Sequence, residues 1–169
     1  VEYVCHKILE ANIAEIQRLC AAGGDAIYID DAIATCDMIS KDHYTQFSLP
    51  YMKAMVEEIH RHKHKAILIY FGGIADRLEE IASIGADGLV MEASMKHYVN
   101  DIETTVNAIG HTTTLFSNID PISIIQDGTD QQLEEEIMRQ VVAAQKGRGF
   151  IISPSSPITP STPIAPTMR

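Results

Sequence analysis

At 169 residues, 46% hydrophobic and with a formal charge of −10, the chain is long enough to bury a core and its size points to one domain. The acidic balance leaves no electrostatic footprint for nucleic acid or an anionic membrane, and no apolar run is long enough to span a bilayer. Three cysteines (Cys5, Cys20 and Cys36) lack metal-ligand spacing, which speaks against a disulfide framework and suits a reducing cytoplasm.

The chain opens at Val1 without a signal-peptide pattern, as a processed chain or a piece of a longer one would. From Glu2 to Ala22, apolar residues at Cys5, Leu9, Ile13, Ile16 and Cys20 follow helical spacing and stop at Gly23-Gly24. Ala26-Ile27-Tyr28-Ile29 then reads as a buried strand ending in two carboxylates, Asp30 and Asp31. Ser40 is placed to cap a helix with Asp42 in its first turn, and Leu49-Pro50-Tyr51 marks a second start, because proline suits the first turn of a helix. The second helix runs to about His62. Ala66 to Phe71 is the next strand, closed by Gly72-Gly73, and Ile74 to Ile84 is helical up to Gly85.

A weak repeat appears here. Gly23-Gly24-Asp25 with its strand and Asp30 matches Gly85-Ala86-Asp87 with the strand Gly88 to Met91 and Glu92. Two looser units follow, with Gly110 before Thr113 to Phe116 and Gly147 before Phe150 to Ile152. Their helices are Met95 to Ile109 and Asp130 to Lys146, the second with a capping box of Thr129 and Gln132. Five strands, each preceded by a helix, predict an α/β fold with a parallel sheet and right-handed crossovers. Either an open sheet or a consecutive arc of a (β/α)8 barrel fits, since a whole barrel needs ~250 residues. Residues 1–152 form this domain. From Ser153 to Arg169 the composition changes to five of the seven prolines and a single charge, the mark of an extended loop or tail.

The polar residues at the strand C-termini are Asp30 and Asp31, Gly72-Gly73, Glu92, Asn118 with Asp120, and Ser153. In either closure they converge on one face, where gathered carboxylates repel one another and can serve as acid or base. Turns favour these same residue types without any site. Gly72-Gly73 lacks a phosphate-loop pattern and reads as a tight strand-to-helix turn. His60, His62 and His64 alternate like metal ligands but fall at the opposite end of the strands, in a solvated helix exit.

Taken together, IDDAIATCDMISKDHYTQFSLPY, LIYFGG, SNIDP with DGT, and IISPSSPITPSTP resemble the uroporphyrinogen decarboxylase superfamily from about Gly23 to Pro163. Their order and spacing are those of its C-terminal half. The resemblance implies the C-terminal half of a (β/α)8 TIM-type barrel. The run Asp31, Thr35, Asp37, Ile39, Ser40 looks more like the cobalamin-dependent methyltransferase branch than the decarboxylases. It carries over Asp31, Asn118 and Asp120 as pocket-lining residues, and the repeat adds Glu92. Methyltransferases of that branch hold zinc through a His-x-Cys and a second cysteine, but the matching positions here are Ile69, Phe71 and Ser156. None of these binds Zn²⁺ as a thiolate or imidazole would, so no metal is expected. The decarboxylases meet a substrate of many carboxylates with arginines and an aspartate of their N-terminal half, and a histidine of theirs falls at Ser155 and Ser156.

The functional expectation is therefore a partial barrel derived from a corrinoid-dependent methyltransferase. Its alternatives are a decarboxylase-like enzyme of porphyrin biosynthesis and a non-catalytic binding or assembly module. A corrinoid enters as substrate or on a partner protein, with no directly bound cofactor. An arc leaves two sheet edges and a bare inner face, so the missing N-terminal half or self-association is the expected partner.

Overall fold

The computed structural model describes residues 1–95 and 97–162. Five parallel strands stand side by side in chain order: β1 (Ala26–Asp30), β2 (Lys65–Tyr70), β3 (Gly88–Met91), β4 (Thr114–Phe116) and β5 (Phe150–Ile151). Between and before them run α1 (Glu2–Ala22), α2 (Lys41–Phe47), α3 (Leu49–Arg61), α4 (Leu78–Ile84), α5 (Ile102–Ile109) and α6 (Asp130–Ala144). Consecutive order with one hand of crossover puts every helix on the same side of the sheet.

Burial along the strands confirms this one-sidedness. Ala66, Leu68 and Tyr70 of β2 are buried, while Lys65, Ile67 and Ile69 are not; Leu89 and Met91 of β3 and Leu115 of β4 continue the covered face. They meet Met52, Met55, Val56 and Ile59 of α3, Leu78, Ile81 and Ile84 of α4, and Ile102, Val106 and Ile109 of α5 in one core. The other face is concave and sparsely covered: Tyr28 stays 53% exposed and Ile151 44%. Tyr28 reaches across it only to an edge contact with Phe116.

The glycine stops act through backbone geometry. Gly85 takes the left-handed conformation (φ 78°) that ends α4, its N–H bonding to Ala82 O, and Gly23 and Gly24 carry φ of 95° and 116° between α1 and β1. Lys63, with φ 62°, turns the chain from α3 into β2. α1 is tied to α3 by Gln17, which donates to the buried Glu58 carboxylate (2.7 Å); Arg61 and His62 complete its partners.

Three elements differ from the sequence expectation. The helix expected from Met95 begins only at Ile102, because Asp101 caps it through the Thr104 N–H and Ser94 accepts from the Asn100 N–H, while Met95 and Tyr98 exchange backbone hydrogen bonds. The helix after Gly72-Gly73 starts as a tight turn, Ala75–Arg77, before α4. Pro121–Gln126 forms a wide π-type turn with no counterpart among the expected elements. The proline-rich stretch is docked where it is described: Ser153 and Ser117 exchange hydrogen bonds, and Ser155 N–H donates to Ile119 O. Residues 163–169 lie outside the described residues.

At the N-terminal ends of β2 and β3, Asp87 gathers Lys65 Nζ (2.7 Å), His60 Nε2 (2.8 Å) and the Ala66 N–H (3.1 Å). Partial burial opposes its charge, but Lys65, His60 and that N–H together hold it below the usual carboxylate range. A depressed folded pKa stabilises above the unfolded value near 3.9, and the gain disappears as pH falls through the folded pKa. Asp87→Asn should therefore cost about 1–3 kcal/mol at pH 7. Urea unfolding across pH should show the two proteins converging as pH falls below the unfolded carboxylate value and through the depressed folded one.

Candidate active site at the strand C-termini

The loop after β1 folds down onto the turn after β2. Phe71 N–H donates to Ala32 O, Cys36 N–H to Gly73 O (2.8 Å) and Gly73 N–H to the Asp37 carboxylate (3.0 Å). This contact explains the two glycines. A side chain on Gly72 would run into Thr35 and Asp37, and one on Gly73 into Cys36 and Tyr98. Burial opposes the charge of Asp37, yet the Gly73 N–H holds its carboxyl below the usual range. Burial and the neighbouring Asp76 and Asp37 push the Cys36 thiol up, so it stays protonated at neutral pH.

The next two strand ends are joined by carboxamides. Asn100, buried, accepts from Ile74 N–H and donates to Gly72 O (2.8 Å) and Glu92 O (3.0 Å). Asn118 donates to Asn100 O (2.7 Å) and to Glu92 O (3.3 Å), and its N–H is taken by the fully buried Gln140. Past the last residues of β2, β3 and β4, side-chain amides thus take over the backbone groups that the sheet no longer pairs.

The four sequence candidates take different places. Glu92 continues the concave-side alternation of Gly88 and Val90, and its carboxylate accepts from Tyr98 Oη (2.7 Å). Burial first, and then that carboxylate, push the Tyr98 phenol well up. Asn118 touches the Glu92 backbone and shares with Asp120 a cleft of about 290 Å³, also lined by Ser94, Asp101 and Arg139. Asp120 spends one oxygen capping the π-type turn, accepting from Ile122 and Ser123 N–H. Asp31 stands apart. It follows the parity of Ile27 and Ile29, which puts it on the helix side, where Ser48 at the α2–α3 junction donates to it (2.5 Å). Burial raises its pKa, with Ser48 opposing.

Sequence reasoning missed Arg77, Asn100 and Tyr98. Arg77 is 0% exposed, donates to Ala34 O and Ile39 O (both 3.0 Å) and to Asp76, and lies 4.9 Å from the centre of the Tyr44 ring. Nothing in a single sequence separates a buried arginine or asparagine from a surface one. Ser155, in the stretch where the resemblance would put a histidine, has a fully buried hydroxyl without a partner among the described residues. Among the described residues no three His, Cys, Asp or Glu side chains are grouped to hold a metal.

Consecutive parallel strands, helices on the outer face only and polar groups at the strand C-termini define an arc of a (β/α)8-type barrel with its mouth. The model of the uroporphyrinogen decarboxylase (URO-D) family matches residues 1–168, and the chain belongs to that family. Similar curated proteins include a uroporphyrinogen decarboxylase of Tolumonas auensis, 29% identical over 142 residues, which cover 82% of this chain and 38% of that one. Another is the methylcobamide:CoM methyltransferase MtbA of Methanosarcina acetivorans, 25% identical over 124 residues, 73% of this chain and 35% of that one. A solved methyltransferase from Methanosarcina mazei shares the fold at a TM-score of 0.78 and 22% identity, over 94% of this chain and 44% of that one. The chain thus spans well under half the length of the curated relatives it matches.

Replacing Asn100 by Ala strands Gly72 O and Ile74 N–H in the interior and should cost about 2–4 kcal/mol. Asp120→Ala removes only a cap and should cost about 1 kcal/mol. Urea midpoints of the two variants rank the effects; equal costs would mean that Asn100 is not the hub.

Proposed function

We propose that this chain forms the mouth of a methyl-transferring member of the uroporphyrinogen decarboxylase family, working with a corrinoid and without the zinc-bound thiol of its relatives. The observation that carries the reading is the Asp31-to-Ser40 loop. Its methyltransferase-like residues put Asp37 at the mouth, against Gly73 N–H. The zinc positions supply Ile69, Phe71 and Ser156, which offer no thiolate or imidazole, so zinc does not fit and no step is routed through it. The mouth side chains Asp37 and Glu92 would repel a substrate of many carboxylates, which weighs against decarboxylation.

Two partners belong to this proposal. Apolar side chains exposed on the mouth loops (Ile33, Met38, Met95 and Val99) ring the acidic groups and suit docking of a corrinoid-carrying protein in the cytoplasm. The concave face, with Tyr28 and Ile151 uncovered, suits closure by further β/α units or a second copy.

The test uses the protein that contains this chain together with the units that close its barrel. Methylcobalamin should bind, Asp37→Asn should weaken binding about tenfold, and uroporphyrinogen should lose no carboxylate. Release of CO2 from uroporphyrinogen with no corrinoid binding would replace this reading with the decarboxylase one.

A further inference from the structure

The mouth loop is held from beneath by one cation. Between Asp31 and Ser40 the chain forms no regular element. Its tips Ile33, Cys36 and Met38 are exposed, yet Ala34 and Thr35 are buried. Arg77, at the start of α4, fills the space under this arch. Two arms of its guanidinium take the carbonyls of Ala34 and Ile39, which bracket Cys36 and Asp37, while Asp76 and the Tyr44 ring hold the fork in plane. A planar fork spans two acceptors in a way that a point charge does not. From above, the Phe71 N–H to Ala32 O, Cys36 N–H to Gly73 O and Gly73 N–H to Asp37 bonds seat the loop on the glycine turn.

We propose that Arg77 is the positioning residue of the mouth. By bracketing the loop at Ala34 and Ile39, it sets where Cys36 and Asp37 stand over Gly72-Gly73, and the loop opens as a unit when that bracket is lost. The inference concerns how the mouth wall is held, and it does not depend on which reaction the mouth performs.

Hydrogen exchange at the Ala34, Cys36 and Ile39 amides, each hydrogen-bonded in the closed loop, reads the position of the loop. Arg77→Lys keeps a charge but loses the fork, and should speed that exchange roughly ten- to a hundredfold with the circular dichroism of the helices unchanged. In Arg77→Ala, low-millimolar guanidinium should restore the slow exchange and methylammonium should not. Unchanged exchange at these amides in a folded Arg77→Lys protein overturns the proposal, as does equal rescue by both cations. Should neither variant fold, hydrogen exchange on the unaltered protein still decides. The amides of Ala34, Cys36, Ile39 and Gly73 should open together at a common free energy below that of β2, and independent opening refutes the bracket.

Discussion

The carboxamide of Asn100 is the point on which the mouth depends. A parallel sheet pairs its strands only along their common length; β2 and β3 end level at Tyr70 and Met91, and β4 stops one residue short of them. Beyond those ends and without Asn100, Gly72 O and Ile74 N–H would be buried without partners, and Glu92 O would keep only the longer bond from Asn118. An unpaired buried backbone group costs about 1–3 kcal/mol, so two of them would be a large share of the net stability of a domain. Asn100 satisfies all three, and Asn118 passes the same service on to Asn100 O and the fourth strand. The loops above can be irregular because their footing is not.

Around that footing the charges sort by depth. Arg77 is the one large cation fully enclosed among the described residues, under the β1–α2 loop. Asp37 and Glu92 stand nearer the opening, each with a specific donor. Asp87 and its Lys65 and His60 partners sit at the far end of the strands, clamping the sheet where no mouth exists. The alternating histidines of this helix exit are therefore structural rather than ligating, with His60 and His62 each engaged by a carboxylate.

Much of the architecture was legible in the sequence because its signals are local and periodic. Apolar runs marked all five strands, four of them after a glycine stop, and the Thr129–Gln132 capping box marked the start of α6. Legibility failed where a local pattern competes with tertiary contacts. The Met95-to-Asp101 stretch carries helix-compatible residues, but Asn100 is drawn into the strand ends and Asp101 becomes the cap. In the site, the repeat put Glu92 at the end of the third strand, and β3 runs straight into it. Asp30 and Asp31 are adjacent, so alternation sends them to opposite faces, and which one looks inward depends on the frame set by β1. Arg77 and Asn100 were invisible for another reason. Their importance lies in what they bond after burial, and composition favours the surface for both residue types.

One consequence concerns the phenols behind the sheet. Tyr44 and Tyr70 bond to each other through their hydroxyls (2.8 Å), both fully enclosed, and burial pushes the pKa of each well up. Neither can ionise while the helix layer stays closed. In an alkaline ultraviolet titration these two rings come late together with Tyr98, so the late phenolate absorbance that remains in a Tyr98→Phe protein becomes a built-in gauge of that seam.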